Sequence, residues 1–399
     1  MDILTNNDLV DLREKYPGDE STQNFALSRH YPVLYSRHEL ENAGLESTKF
    51  SKTDFDCLDA AICVLRHLLS CVGSKWREGN DDNPLESMVW AGLAESSGTT
   101  QTLVRYGILE KLREELGDEV PLDYYHIMEN KSMHKTIWVR EAFMLWHKAV
   151  FERRKGSDKW TQVEYKIPPT LAKYGLLQYD GKVPLGDRIS SEYGPDEHEE
   201  LEVELHWQSN SPAIIRVLYD NTRSRSVSRT FKELARITVD GQRLKEEDDG
   251  QGRKQLVLKI GLKDLIDYQL VASVRLGDKN DKNNHKDRIR LYRADGEPMA
   301  QHSSLVDRFA GSRWKLGEEG RFMLYYAPVL HRQLIDGREP PECAEHASGA
   351  IIKQMVEYTR PRERSDGEED QERTVGELAK VKHYQSWRDY LVEEQQIQL

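Results

Sequence analysis

The sequence is short of cysteine and of long apolar runs, and both shortages limit what the protein can be. Only 4 of its 399 residues are cysteine, whereas small secreted domains held together by disulfides are far richer in it, so we expect reduced thiols. No stretch approaches the ~20 apolar residues that a bilayer-spanning helix needs. The first residues also lack the basic and apolar regions of a secretory signal. The sequence therefore predicts a cytoplasmic or nuclear protein with no membrane segment.

Basic charge is also in deficit. Lys and Arg number 57 against 69 Asp and Glu, which leaves a net charge of −12. A chain of this charge is repelled by nucleic acid phosphates, so we expect protein partners with basic surfaces rather than nucleic acid. No G-x-G-x-x-G turn and no P-loop is present, so the nucleotide-binding folds lose their main signal and no cofactor is predicted.

What the sequence does have is enough apolar material for a core, with helices first and strands afterwards. Hydrophobic residues make up 38% of the chain. Apolar spacing predicts a helix from Leu58 to Val72, capped by Asp54 or Asp56, and further helical segments over 85–153. Gly186, Asp187 and the acidic run 196–204 are interpreted as a solvated connector. Runs of β-forming residues predict strands at 212–219, 256–260, 268–276, 288–292 and 322–327.

Helices and strands segregated in this way predict an α+β fold. We expect an N-terminal helical lobe and a C-terminal antiparallel β-sheet lobe. The predicted divisions are an arm over 1–50, the helical lobe over 51–158, the β-rich lobe over 159–335, and a tail over 336–399 that contains a terminal helix.

Cys57 is the sharpest candidate for chemistry. The pattern places it in the first turn of a long apolar helix, where unpaired backbone N–H groups and the helix dipole favour a thiolate. A thiolate is what a cysteine nucleophile requires. The alternative interpretation is a small buried side chain that happens to open a helix. Asp54, Asp56 and Asp59 also oppose ionisation of the thiol, because nearby negative charges raise a thiol pKa.

Four blocks, taken in order along the chain, resemble the ubiquitin-specific proteases, cysteine proteases of papain-like architecture. The blocks are Cys57 with its apolar helix; 212–219 followed by 229–234; 268–274 followed by His285 and Tyr292; and Trp314 followed by 322–326. The resemblance implies a papain-like α+β fold and thiol-dependent hydrolysis of isopeptide bonds made by ubiquitin or a ubiquitin-like protein.

The resemblance also implies a role for each site residue. Cys57 matches the nucleophile, His285 matches the base that takes the thiol proton, and Asp295 matches the residue that orients that imidazole. His302 and Asp287 are rival candidates nearby. The flanking residues depart from the family, which has Gly-His-Tyr where this chain has Asn284-His285-Lys286. The alternative function is therefore a catalytically inactive member of the same fold that acts as a protein-binding or scaffold subunit of a nuclear or cytosolic complex.

A second constellation is a possible zinc-ligand set on the same helix. Cys63, His67 and Cys71 are spaced by four residues and so share one helix face. Thiolate and imidazole ligands suit zinc, although a fourth ligand is not evident. The favoured interpretation is a central helix buried on both sides, with no metal.

Overall fold

The computed structural model describes a mixed fold of helices and sheets. It describes residues 10–18, 23, 27, 49–73, 83–92, 98–147, 149–157, 160–164, 169–198, 203–222, 226–241, 245–248, 254–257, 265–278, 286–293, 296–299, 314–329 and 342. The helices in this part are α1 Leu12–Lys15, α2 Lys52–Ser70, α3 Pro84–Trp90, α4 Gly98–Leu116, α5 Tyr124–Met128, α6 Lys131–Thr136, α7 Leu185–Ser190 and α8 Phe231–Ala235, with 3-10 turns at Glu141–Phe143 and Pro169–Gly175. The strands are β1 Ala149–Arg154, β2 Thr161–Glu164, β3 Leu176–Tyr179, β4 Gly194–His198, β5 Val203–Trp207, β6 Ile215–Asp220, β7 Arg236–Asp240, β8 Lys245–Asp248, β9 Lys254–Val257, β10 Leu265–Leu276, β11 Arg288–Leu291 and β12 Arg321–Pro328.

A six-stranded sheet organises the second half of the chain. Five of its strands run in the order β11-β10-β12-β6-β3, and β7 pairs with β10. All pairings are antiparallel except β3 with β6. Successive side chains of β12 point to opposite faces of the sheet, and both faces are buried. Met323 and Tyr325 belong to the core cluster that contains α2, whereas Phe322 and Leu324 belong to a second cluster on the opposite face.

Helix α2 lies at the centre of the larger core. It contacts α3, α4 and α5 on one side and strands β10 and β11 on the other. Every residue from Phe55 to Leu69 is buried, so the expectation of a helix buried on both sides is confirmed. A helix surrounded in this way has no solvated face, which explains why its apolar residues are not confined to one stripe.

A smaller antiparallel sheet has the order β2-β1-β5-β4, and β8 pairs with β9 in a separate hairpin. This sheet corrects two expectations. Residues Ala149–Arg154 form a strand rather than the end of a helical region. The acidic run 196–204 is not simply a connector, because its two ends lie in β4 and β5, which pair with each other. Such acidic strands are not recognised from the sequence, because strand propensity mainly reflects how well side chains pack on a half-buried sheet and acidic residues score poorly on it.

One further segment differs from expectation. Asp187 lies in helix α7 rather than in a connector. Residues 231–235 form helix α8, which begins with a capping box between Thr230 and Glu233. The α+β class predicted from the segregation of elements is confirmed. Within the described ranges no helix is long and apolar enough to cross a membrane. The division of the chain into four parts stays a prediction, and the predicted terminal helix lies outside the described residues.

Candidate functional site

Cys57 lies in the interior, where its own helix α2 meets the start of α5 and Asp287, the residue before β11. Its side chain is buried, with 4% of the residue exposed. The thiol donates a hydrogen bond to Asp287, with 3.1 Å between Sγ and Oδ2. Asp287 immediately precedes β11 and is itself 6% exposed. The thiol that the sequence offers as a nucleophile is therefore paired with a buried carboxylate.

The carboxylate of Asp287 accepts hydrogen bonds from three elements. Oδ2 accepts from the Tyr124 backbone N–H at 2.9 Å, in addition to the Cys57 thiol. Oδ1 accepts from the Gly277 backbone N–H at 2.8 Å. Tyr124 is the first residue of α5, whose early amides have no partner within the helix, so the carboxylate completes that helix start. Asp287 thus links α2, α5 and the end of β10.

The electrostatics of this pair oppose a thiolate. Burial raises the pKa of the Cys57 thiol well above its usual range, and the charge of Asp287 and the hydrogen bond to it raise the pKa further. Asp123 and Asp54 act in the same direction. Burial also raises the pKa of Asp287, although its amide donors favour the ionised form. A thiolate 3 Å from a carboxylate in the interior is therefore strongly disfavoured.

The position of Cys57 in its helix corrects the sequence prediction of a first-turn thiol. Helix α2 begins at Lys52, with Ser51 as its N-cap, so Cys57 is the sixth helical residue. Asp54 does not cap the helix itself but completes a capping box, in which its carboxylate accepts from the Ser51 backbone N–H at 2.7 Å. The unpaired amides and the dipole act within the first turn. Cys57 lies beyond them, so neither lowers its pKa.

The other predicted catalytic residues lie outside the described residues. These are His285 and Asp295, together with the rival candidate His302. Their relation to Cys57 therefore stays a prediction. Asp287, the other rival, is the acidic residue that the structure brings to the thiol.

The possible metal ligands lie at different depths on α2. Cys63 and His67 are buried, and Cys71 is half-buried at the helix C-cap. The Nε2 atom of His67 lies 2.9 Å from the Tyr292 carbonyl oxygen, an acceptor that requires Nε2 to carry the proton. Burial lowers the pKa of His67 to about 4. Nowhere in the described ranges do three His, Cys, Asp or Glu side chains form a group suited to a metal.

Buried charges on α2 have partners that the sequence pattern does not reveal. Asp59 accepts from Arg105 of α4, with 2.6 Å between Oδ1 and Nε, and each side chain is 3% exposed. Arg66 donates to the carbonyl oxygens of Val89 and Ala91 at the end of α3. A helix C-terminus presents unpaired carbonyls to such a cation. These contacts fix α2, and hence Cys57, against the neighbouring helices.

Sequence reasoning missed the contact between Cys57 and Asp287, because the two residues are 230 positions apart. Two signals were available: the excess of acidic residues near Cys57, which already indicated a raised thiol pKa, and the family resemblance, in which Asp287 was a rival candidate for the site. No spacing rule indicates that the Tyr124 amide would share the same carboxylate.

Comparison with known protein families and with curated proteins finds no significant match to this chain. Solved structures give distant likenesses. One is the Saccharomyces cerevisiae apo Pan2 pseudoubiquitin hydrolase-RNA exonuclease module in complex with AAGGAA RNA. It shares 10% identity over 79% of this chain and 51% of that chain, with a TM-score of 0.24. The present chain thus spans about half the length of that Pan2 chain.

A second likeness is the SAGA DUB module of Ubp8, Sgf11, Sus1 and Sgf73, with 12% identity, coverage of 79% of this chain and 74% of that chain, and a TM-score of 0.30. A third is the Neurospora crassa Pan2 catalytic unit, with 10% identity, coverage of 81% and 57%, and a TM-score of 0.22. Likenesses this distant do not define an activity, a substrate or a partner for this chain.

Proposed function

We propose that this protein is a divergent ubiquitin-specific-protease-like protein that has no peptidase activity and acts as a protein-binding subunit. The observation that carries this proposal is the buried hydrogen bond from the Cys57 thiol to Asp287. Cys57 then has a structural role: it supplies a donor to a carboxylate that would otherwise be buried with one hydrogen bond fewer. The partner is ubiquitin or a ubiquitin-like protein, with further protein subunits in the same complex.

Charge supports a protein partner with a basic face. The net charge of −12 favours association with positive surfaces and disfavours nucleic acid. The order of the sequence blocks supports the kinship with ubiquitin-specific proteases. The burial of Cys57 and its acidic surroundings support a fold that binds without cleaving.

The second candidate function is thiol hydrolysis, favoured by the occurrence of Cys57 and His285 in the family order. In that reaction the imidazole takes the thiol proton and the thiolate attacks the carbonyl carbon. The C–N bond then breaks as the imidazolium gives its proton to the leaving amine, and a thioester remains. Water then hydrolyses the thioester and releases the acid. This reaction requires the thiol to leave Asp287 and to reach both an imidazole and the substrate.

A ubiquitin derivative with a C-terminal electrophile separates these functions. We expect no covalent adduct with the wild-type protein, and the Cys57→Ala variant serves as the control for adducts elsewhere. An adduct that forms on Cys57 and is lost in Cys57→Ala would overturn the inactive interpretation and support the hydrolase. Titration of the protein into isotope-labelled ubiquitin without the electrophile, followed by NMR chemical shifts, then tests whether ubiquitin is a partner. Absence of shifts would remove ubiquitin as the partner.

Alkylation of the native protein tests the burial of Cys57 directly. Cys71 is half-buried and provides an internal comparison on the same helix. With iodoacetamide and peptide mapping by mass spectrometry, we expect Cys71 to react in the folded protein, and Cys57 only at the rate of unfolding. Reaction of Cys57 as fast as that of Cys71 would show an accessible thiol and contradict the structural role.

A further inference from the structure

Residues 10–16 cross the end of helix α3 and are called the N-terminal strap below. The carbonyl oxygen of Val10 accepts a hydrogen bond from the backbone N–H of Gly92 at 2.7 Å. Asp11 forms an isolated antiparallel β-bridge with Ala91, the residue that follows α3. The strap is therefore joined to the end of α3 by backbone pairing.

One apolar side chain anchors the strap. Of the described residues 10–16 only Leu12 is buried, and it belongs to the core cluster that contains α2. Val10 is 43% exposed. The Arg13 guanidinium lies 5.4 Å from the centre of the Trp90 ring, and its side chain is 29% exposed. A segment held by one buried side chain and one partly exposed cation gains far less from burial than α2 does.

The surface beneath the strap is held by contacts that do not involve the strap. Arg66 of α2 is fully buried and donates to the carbonyl oxygens of Val89 and Ala91. Gly92 allows the strap to approach closely, because a Cβ atom built there would lie 3.2 Å from the Val10 carbonyl oxygen. The end of α3 therefore has its own attachment to α2.

A candidate hinge follows the strap at Gly18. Its φ is +72°, and a Cβ atom built there would have no described neighbour within 4 Å. Hinges consist of a few residues at the ends of elements that can absorb changes in φ and ψ. The Gln23 side chain donates to the Tyr16 carbonyl oxygen across this position at 2.8 Å, so opening must also break this hydrogen bond.

We propose that the N-terminal strap opens as a unit about Gly18 while α2 and α3 stay folded. Opening breaks the backbone pairing with the end of α3, withdraws Leu12 from the core and removes Arg13 from the face of the Trp90 ring. It exposes apolar surface at the end of α3 at a lower cost in free energy than unfolding of the core.

The test compares the alkylation of two buried positions in the full-length protein. Leu12→Cys places a thiol on the strap, where Leu12 is 4% exposed, and Leu112→Cys places one on α4, where Leu112 is 2% exposed. Iodoacetamide and peptide mapping by mass spectrometry give the rate at each position. We expect the thiol of Leu12→Cys to react at least about 100-fold faster, because it needs only the strap to open. Equal rates would overturn the proposal.

Urea below the unfolding transition separates opening of the strap from opening of the whole fold. Opening of a short strap exposes little surface, so the rate for Leu12→Cys should change by less than about twofold. The rate for Leu112→Cys should rise with the slope of global unfolding. An equally steep dependence at both positions would show that the strap opens only with the core.

Circular dichroism and urea denaturation confirm that both variants are folded. If Leu12→Cys is not, Gly92→Cys replaces it, because Gly92 is buried where Val10 and Leu12 meet the end of α3. The same fast rate and weak urea dependence are expected for that thiol, and a rate that follows global unfolding would overturn the proposal. The strap includes neither Cys57 nor Asp287, so its opening is tested separately from the proposed function.

Discussion

Asp287 and Cys57 are 230 positions apart in the sequence, yet Oδ2 of the first accepts a hydrogen bond from Sγ of the second over 3.1 Å. The same carboxylate holds the first amide of α5 and the amide of Gly277. A residue near a strand start thus connects a helix in the centre of the core, a second helix and the end of β10. Its loss should affect the stability of the whole protein.

We expect Asp287→Asn to lower the free energy of unfolding by about 2 kcal/mol, measured by urea denaturation. A carboxamide keeps one acceptor oxygen and replaces the other by an NH₂ group. That NH₂ group must then face an N–H or S–H donor, with which it cannot form a hydrogen bond as the carboxylate oxygen did. Asp278→Asn is the matched control, because Asp278 is exposed and lies next to Gly277. Similar midpoints for both variants would show that the carboxylate of Asp287 does not stabilise the fold.

The buried imidazole of His67 should make the protein sensitive to acid. Its pKa is lowered from 6.5 to about 4 in the folded state, chiefly by burial. The unfolded chain therefore binds this proton first as the pH falls. The free energy of unfolding is highest above the pKa that His67 has in the unfolded chain. It decreases as the pH falls toward 4, by about 2 kcal/mol between pH 7 and pH 5.

His67→Gln removes the titrating group and keeps an N–H donor for the Tyr292 carbonyl. We expect this variant to lose about 2 kcal/mol less stability than wild type between pH 7 and pH 5, measured by denaturation at each pH. Measurements at pH 8 give the offset caused by the substitution itself. A parallel pH dependence of the two proteins would contradict the prediction.

Removing only one member of the buried Asp59–Arg105 pair should lower the free energy of unfolding strongly. Arg105→Met leaves a carboxylate 3% exposed without its guanidinium, so we expect a loss of about 3 kcal/mol or more in unfolding free energy. The double variant Asp59→Leu/Arg105→Met removes both charges, and its loss should be smaller than the sum of the two single losses by at least about 2 kcal/mol. Additive losses would show that the two charges are not coupled.

Gly181 supports a tight contact between two surface loops. Its φ is +80°, and a Cβ atom built there would lie 1.8 Å from the Val227 carbonyl oxygen. Gly156 has a φ of +85° but has no neighbour within 4 Å of such a Cβ atom. Gly156→Ala should therefore cost about 1 kcal/mol in unfolding free energy for its backbone conformation alone. Gly181→Ala should cost at least about 2 kcal/mol more, because the Val227 segment must move. Equal melting temperatures for the two variants would contradict this contact.

Periodicity predicted the long elements that bury apolar residues, but it missed the short strands β3 and β7, which bury apolar side chains as well. The helix around Leu58–Val72 and the strands that became β6, β10, β11 and β12 are found near their predicted positions. Short polar elements were missed because they lack the apolar periodicity from which the other elements were predicted. Asp187 lies in a helix of six residues, and the acidic strand β4 carries no alternating apolar pattern.

The candidate site was predictable only in part. The sequence identifies Cys57 and the carboxylates that raise its pKa, but capping by Ser51 moves the helix start earlier and takes the thiol out of the first turn. The contact with Asp287 depends on how β10 and β11 return the chain to α2. Contacts of that range follow from tertiary packing, which a single sequence does not display.

The enclosure of α2 has a consequence for how the molecule opens. Its amide protons between Leu58 and Leu65 lie in a helix that touches other helices and the six-stranded sheet alike. If either the neighbouring helices or the sheet moved away, apolar side chains of α2 would be exposed to water. Those amides should exchange with deuterated solvent only when the entire fold opens, and the slowest exchange rates in the protein then report its global stability.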